Sequence, residues 1–447
     1  MNQPAIWPFV PGSDPVSVSR AEGAYLYLAD GSKILDAAGG CIVSNIGHGV
    51  VEVADAVRDA LINCTFVMPP WLTPERQALV DELRDHWLPP HLTRIHLASG
   101  GSEANEAAIK MAIQYHAGLG APQRTVILTR SISYHGTTIT TAAASGHPER
   151  KKGLEGILAH YPQIQTPYPL RCPVGNDDAL ATQYYLDDLE QAIEKIGANN
   201  IAALIAEPLN GSSGGAIAPP KGYWEGAQLI LKQHGILLIM DEVMTGFGRT
   251  GLKFGSDHYG IKPDLMVAGK GLAGGYAPIA GVFGTDAVAA GIAAGGFNVM
   301  FHTFGALPQA CAAATRVLQI LRRDALVDRA RTTGIKLKAA LIERLSQHPR
   351  VAEIRGTGLL VAVEVVADRE TLTPFDESLR VTDKIIGHGM SQGVFFYPGG
   401  TGDVRDIICI GPAFIIDDND IKLIVNALSY ALDGLSDLEN AASASCS

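Results

Sequence analysis

Short, wholly apolar runs recur along this chain. Each is followed at once by polar or glycine-rich residues, and helical spacing fills many of the intervals. Ile95–Ala98, Thr125–Thr129, Ile201–Ala206, Ile236–Met240, Leu265–Ala268 and Ala280–Phe283 have the length and composition of strands buried on both faces. Helical periodicity covers Val50–Leu61, a stretch through about His116, Pro308–Leu321, Leu326–Leu345, Val381–Gln392 and Asn419–Leu432. It also covers Pro74–Trp87, where Thr73 is the expected N-cap and Pro74 the first helical residue. Buried strands alternating with helices predict an α/β fold around a mostly parallel sheet. Before it, residues 1–20 read as an extended arm, and Tyr25–Leu28, the Asp30-Gly31-Ser32 turn and Lys33–Asp36 as a hairpin. After it, Val351–Ile354, Gly358–Val366, Val394–Tyr397 and Ile407–Ile410 mix with helices, as in a smaller α+β unit.

Chemistry gathers where the buried runs end. Asp241-Glu242 follows one of them, and Lys270, between Gly269 and Gly271, follows another. Open α/β sheets place ligands at the carboxyl ends of their strands. A lysine stripped of water there has a lowered pKa and a free lone pair. An acid and a lysine at one sheet edge suit pyridoxal phosphate, which needs an amine for its aldehyde and an acid for its ring nitrogen. A buried salt bridge would leave the same trace. Ser99-Gly100-Gly101-Ser102 opens a helix, where free amides and the helix dipole favour an anion; Ser102 is an N-cap candidate that can also donate its hydroxyl. Tyr134, in Ser133-Tyr134-His135-Gly136, can stack on a flat ring, and His135 is either a functional hydrogen-bonding group or a satisfied structural one. The proline-rich stretch 146–180 is either a plain surface loop or, through Tyr168, Arg171 and Cys172, the shaper of a substrate entrance.

LIMDEVMTGFGRTG followed by DLMVAGKGLAGG closely resembles the signature of the class III pyridoxal-phosphate aminotransferases. The resemblance extends over roughly residues 20 to 435. It implies fold type I, the aspartate-aminotransferase-like architecture, with pyridoxal 5'-phosphate as cofactor. It implies that Lys270 holds the cofactor and Asp241 pairs with its ring nitrogen. Val243 and Tyr134 would pack on the ring, Gly101 and Ser102 would bind the phosphate, and Glu207 would lie near the cofactor. Thr303 would reach the cofactor phosphate of a neighbouring subunit, so a homodimer or a dimer of dimers is expected; a threonine capping a helix from about Ala306 would look the same.

Two family features are missing. Ser212 stands where some members carry a glutamate that manages substrate charge. No arginine occupies the Ile407–Ile410 strand, where members that use 2-oxoglutarate hold its distal carboxylate, and Gly411 replaces the first residue of a Pro-Pro pair. These absences lean towards an amine or ω-amino acid donor with pyruvate as acceptor. Arg405 is then a candidate for the acceptor carboxylate, or makes a surface ion pair with Asp403 or Asp406. A 2-oxoglutarate acceptor, or an aminomutase, racemase or decarboxylase reaction, starts from the same cofactor motifs. A non-catalytic cofactor scaffold is argued against by the intact Lys270.

With 447 residues the chain exceeds the size of one usual core. The expected division is an arm and hairpin over 1–50 that join the small domain, a cofactor domain over 51–305 and a small domain over 306–447. A formal charge of −11 argues against a nucleic-acid surface. Six scattered cysteines without metal spacing read as reduced cytoplasmic thiols, with no metal site. Neither a signal peptide nor a membrane-length apolar run is found. Small-molecule substrates are the partners expected.

Overall fold

The computed structural model describes residues 15–175 and 177–436. The first fourteen residues of the expected arm, the tail after Asn440 and Cys446 lie outside it. Strands β1 (Val18–Glu22), β2 (Tyr25–Leu28) and β3 (Lys33–Asp36) form an antiparallel meander, so the end of the expected arm is a strand.

Seven strands build the large sheet: β4 (Arg94–Ala98), β5 (Val126–Arg130), β6 (Gln163–Ile164), β7 (Ile201–Ala206), β8 (Leu237–Asp241), β9 (Leu265–Ala268) and β10 (Ala280–Gly284). Their spatial order is β4-β10-β9-β8-β7-β5-β6. The five strands from β9 to β6 run parallel, and β10 alone runs against its neighbours β4 and β9. Every residue of β7, β8, β9 and β10 is buried, which is why these strands read as unbroken apolar runs.

The carboxyl-terminal part adds an antiparallel sheet, β11 (Val351–Thr357), β12 (Leu360–Val365), β14 (Tyr397–Thr401) and β15 (Val404–Ile410), in the order β11-β12-β15-β14. The short β13 (Val394–Phe395) pairs in parallel with β3, so the amino-terminal hairpin is completed by the far end of the chain. Helices Val51–Asn63 and Pro74–Glu82 pack against helix Pro308–Arg323. Thr73 caps as expected, its hydroxyl accepting the Arg76 amide at 3.3 Å; the helix then widens into a π-turn over Leu83–Trp87. Helices Ile139–Ala144, Asp178–Ile196, Tyr223–Gln233 and Asp286–Ala294, not anticipated from periodicity, complete the layers around the sheet. Among the described residues no helix is long and apolar enough to cross a membrane.

Within the stretch 146–180, residues 168–172 are neither a plain surface loop nor part of the cavity lining. Tyr168 and Cys172 are buried, and the stretch is anchored to the carboxyl-terminal sheet. Arg355 from β11 donates to Glu364 of β12 at 2.6 Å and to the Tyr168 hydroxyl at 2.7 Å. Arg171 joins the same Glu364 at 2.5 Å. Two cations around one buried carboxylate satisfy it, and they hold its pKa below the usual range against the effect of burial.

Candidate active site

The carboxyl ends of β4, β5, β7, β8 and β9 lie along one edge of the large sheet. Their following residues enclose a cavity of about 170 Å³, lined among others by Gly101, Ser102, Tyr134, Glu207, Asp241, Val243 and Lys270. Seven of the nine residues proposed from sequence are thus brought together by the parallel strand directions.

Asp241 is the last residue of β8 and Glu242 the first beyond it, so the two carboxylates turn opposite ways. Glu242 is fully buried outside the cavity, accepting the amides of Gly255 and Ser256 at 2.8 and 2.7 Å. It clamps the turn that follows the strand. Asp241 faces the cavity. One oxygen accepts the Val243 amide at 2.9 Å; the other accepts the Asn105 side-chain amide and a His135 Nδ1–H, both at 2.8 Å. An ionised carboxylate only accepts, so Nδ1 must donate. His135 is therefore part of the site, and its buried Nε2 has no protein partner. Asn105, which also donates to the His135 carbonyl at 2.8 Å, was missed from sequence because an asparagine in a helical stretch carries no signal of its own.

Lys270 begins a single helical turn with φ of +42°, a left-handed conformation rare for a residue with a Cβ. Its side chain keeps some surface towards the cavity, and burial lowers its amine pKa; the nearby Cys41, Asp241 and Glu207 act in the opposite sense. Glu207 is buried and its pKa is pushed up to about 7, by desolvation first and by the Asp241 charge in addition. Its oxygens accept the Gly211 amide at 2.8 Å and the Asn210 side chain at 3.1 Å.

Helix Gly101–Gly118 points its amino terminus at the cavity. Its N-cap is Gly100, without side-chain capping, so Ser102 is not the cap: it sits in the first turn, where its hydroxyl accepts the Thr137 amide at 3.1 Å. A Cβ on Gly101 would lie 2.9 Å from Val243 Cγ1, so glycine is what lets the helix start approach the turn after β8. The first amides of the helix have no partner one turn back. An anion site, a flat slot beside Val243 and Tyr134, an acid and a desolvated amine together fit pyridoxal phosphate: phosphate at the helix start, ring nitrogen towards the acid, aldehyde towards the amine.

The other two residues lie outside this cavity, and Thr303 is expected at a neighbouring subunit's site rather than here. Thr303 is exposed in a turn; the next helix starts only at Pro308 with Leu307 before it, so Thr303 is not its cap either. Arg405 lies outside the cavity wall. It donates to the Phe375 carbonyl at 2.6 and 3.1 Å and to the Gly402 carbonyl at 3.1 Å, and its ion pair is with Glu377 at 3.7 Å rather than with Asp403 or Asp406.

The mixed sheet with this site at its carboxyl edge is that of a fold type I pyridoxal-phosphate enzyme. The profile of the family described as aminotransferase class III matches residues 10–432. The chain belongs to the class III aminotransferases, which are pyridoxal-phosphate-dependent enzymes acting on small amines and keto acids. The aminotransferase YodT of Bacillus subtilis is 35% identical over 433 residues, 96% of this chain and 97% of its own. The putrescine–pyruvate aminotransferase of Pseudomonas aeruginosa is 32% identical and aligns with 93% of this chain and 90% of its own length. An (S)-enantioselective omega-transaminase from Thermomicrobium roseum superposes with a TM-score of 0.91 at 33% identity, covering 96% of each chain.

Proposed function

We propose that this aminotransferase moves an amino group from an amine or ω-amino acid to a 2-oxo acid, with pyruvate favoured, in two half-reactions at one site. The observation that carries the reading is the meeting of Lys270, Asp241 and a helix amino terminus in one cavity. Pyridoxal phosphate, when bound, supplies an aldehyde for the amino group and a ring that takes up electrons from the substrate carbon. Lys270 Nζ holds the cofactor and, once displaced by a substrate amine, carries the proton to and from the substrate carbon. Asp241, oriented by Asn105, His135 and the Val243 amide, keeps the ring nitrogen charged. Gly101 and Ser102 take the phosphate, Val243 and Tyr134 enclose the ring, and Glu207 borders it.

The acceptor preference rests on Ser212, which lines the cavity where relatives that alternate between acidic and neutral substrates carry a glutamate. It also rests on relatives named for pyruvate: the putrescine–pyruvate enzyme and a hypotaurine/taurine–pyruvate aminotransferase from Paracoccus denitrificans, 32% identical over 436 residues. Arg405 has no part in this proposal, because its guanidinium is committed to main-chain carbonyls. The proposal includes a homodimer in which Thr303 reaches the neighbouring subunit's site, a cytoplasmic setting, and the division at residues 50 and 305.

Half-reaction spectroscopy tests the reading. The enzyme aminated by a simple amine should recover its starting spectrum faster with pyruvate than with 2-oxoglutarate; the reverse order overturns the acceptor assignment. A Lys270→Ala protein should carry no cofactor fixed by borohydride reduction and should show no turnover. Turnover near the native rate would overturn the mechanism.

A further inference from the structure

Arg150 ends a short helical turn, Pro148–Arg150, after the β5 loop. It is exposed, and its guanidinium carbon lies 4.6 Å from the centre of the Tyr134 ring, a wall of the cavity. The adjacent acid does not neutralise it. Glu149 is turned away onto the β14–β15 turn, accepting from Thr401 Oγ1 at 2.5 Å and the Gly402 amide at 2.8 Å, with His147 Nδ1 at 3.0 Å. Among the described residues no carboxylate pairs with Arg150.

The other arginines near the site are directed away from the cavity. Arg249 donates to the carbonyls of Ser44, Leu359 and Pro412. Arg355 is held by Glu353 and Glu364. Arg130 is buried behind Glu207, outside the cavity lining: it donates to the Glu207 carbonyl at 3.0 Å and packs over the rings of Tyr223 and Trp224, with Nε and Nη2 left without a partner. Arg150 therefore offers an uncompensated guanidinium fork at the cavity mouth. It stands beside the Tyr397 phenol; Tyr397 in turn neighbours Cys41, whose thiol is close enough to Lys270 to influence the amine. Two side chains thus separate the reacting amine from the guanidinium along this wall.

We propose that Arg150 binds the carboxylate of an ω-amino acid donor whose amine, several carbons away, reaches Lys270. A fork of paired N–H donors matches a carboxylate, and the intervening wall of Tyr134, Tyr397 and Cys41 suits a methylene spacer. The inference rests on the amine-donor reading above and deepens it by assigning a carboxylate subsite at the mouth.

The test uses the cofactor-loaded enzyme in the first half-reaction, with 4-aminobutyrate and 6-aminohexanoate against butylamine and hexylamine. Arg150→Gln should lower the specificity constant for the ω-amino acids by about 10- to 100-fold, the usual worth of a charged hydrogen bond. The loss should appear as weaker half-saturation with little change in the limiting rate, and the amines should be far less affected. Arg150→Lys should recover part of the acid preference. Equal losses for acids and amines, or no loss for the acids, overturn the proposal. If the native enzyme converts amines but neither amino acid, the proposal fails while the amine-donor reading stands. If it converts none of the four, the donor reading itself fails.

Discussion

The fold controls the protonation of two side chains in the cavity. Burial lowers the Lys270 amine towards its neutral, reactive form, and raises Glu207 to about 7. The raised carboxyl has a signed consequence for stability. Between about pH 4.5 and 7 the folded protein holds a proton on Glu207 that the unfolded chain has released, so stability falls as pH rises through that window. The full contribution is about 3 kcal/mol. Glu207→Gln removes it. In cofactor-free protein, the Tm of Glu207→Gln minus that of the native enzyme should become more positive from pH 5 to pH 8. The slope is the test, because the loss of the two hydrogen bonds to Glu207 only offsets the curve. A difference that stays flat with pH would place the Glu207 pKa near its ordinary value.

Element packing sets how closely the phosphate end of the site can form. The helix beginning at Gly101 and the turn carrying Val243 meet with no room for a methyl group: a Cβ at residue 101 would lie 2.9 and 3.1 Å from the two Val243 methyls. Gly101→Ala should therefore displace the helix start or the valine and raise the Kd for pyridoxal phosphate by about 10-fold, in the range of overpacking costs. Val243→Ala weakens the ring contact alone, so its own effect should be smaller. The double variant should bind more tightly than the two single losses combined would give, since shortening the valine makes room for the added methyl. Cofactor titration followed by absorbance measures all four proteins, and strict additivity would show that the two positions do not press on one another.

On the scale of the whole molecule, large apolar side chains stand exposed in the segments 66–72 and 300–304, which Arg76 ties together through the carbonyls of Trp71 and Ala306. Met300, Phe304, Trp71 and Leu72 are 67%, 61%, 62% and 65% exposed, and Phe66 meets Phe304 edge-on at 6.4 Å. Thr303, itself exposed, directly precedes Phe304. Surfaces of this kind mark interfaces in soluble proteins, which agrees with the proposed homodimer. Phe304→Asp combined with Trp71→Asp should shift sedimentation from dimer to monomer and reduce cofactor retention in parallel. A variant that sediments as the native protein does would move the interface elsewhere.

The sequence by itself determined the buried strands of the large sheet, many of the helices and the family to which the chain belongs. A strand buried on both faces has to be apolar throughout, so β7, β8 and β9 and the residues that terminate them were legible as text. Lys270 and Asp241 were legible for the same reason. Tertiary structure decided what depends on contacts between distant segments. Asn105 and His135 become partners of Asp241 only because β5 and β8 end, and the helix after β4 begins, at one edge. Tyr168 and Arg171 are committed to Glu364, nearly two hundred residues away, and no local pattern could assign them there. Arg405 and Arg150 are both arginines among polar neighbours in sequence. Only the fold shows that carbonyls consume the first and that the second stands uncompensated beside the cavity, because a charge is free or spent according to what the rest of the chain brings within hydrogen-bonding distance.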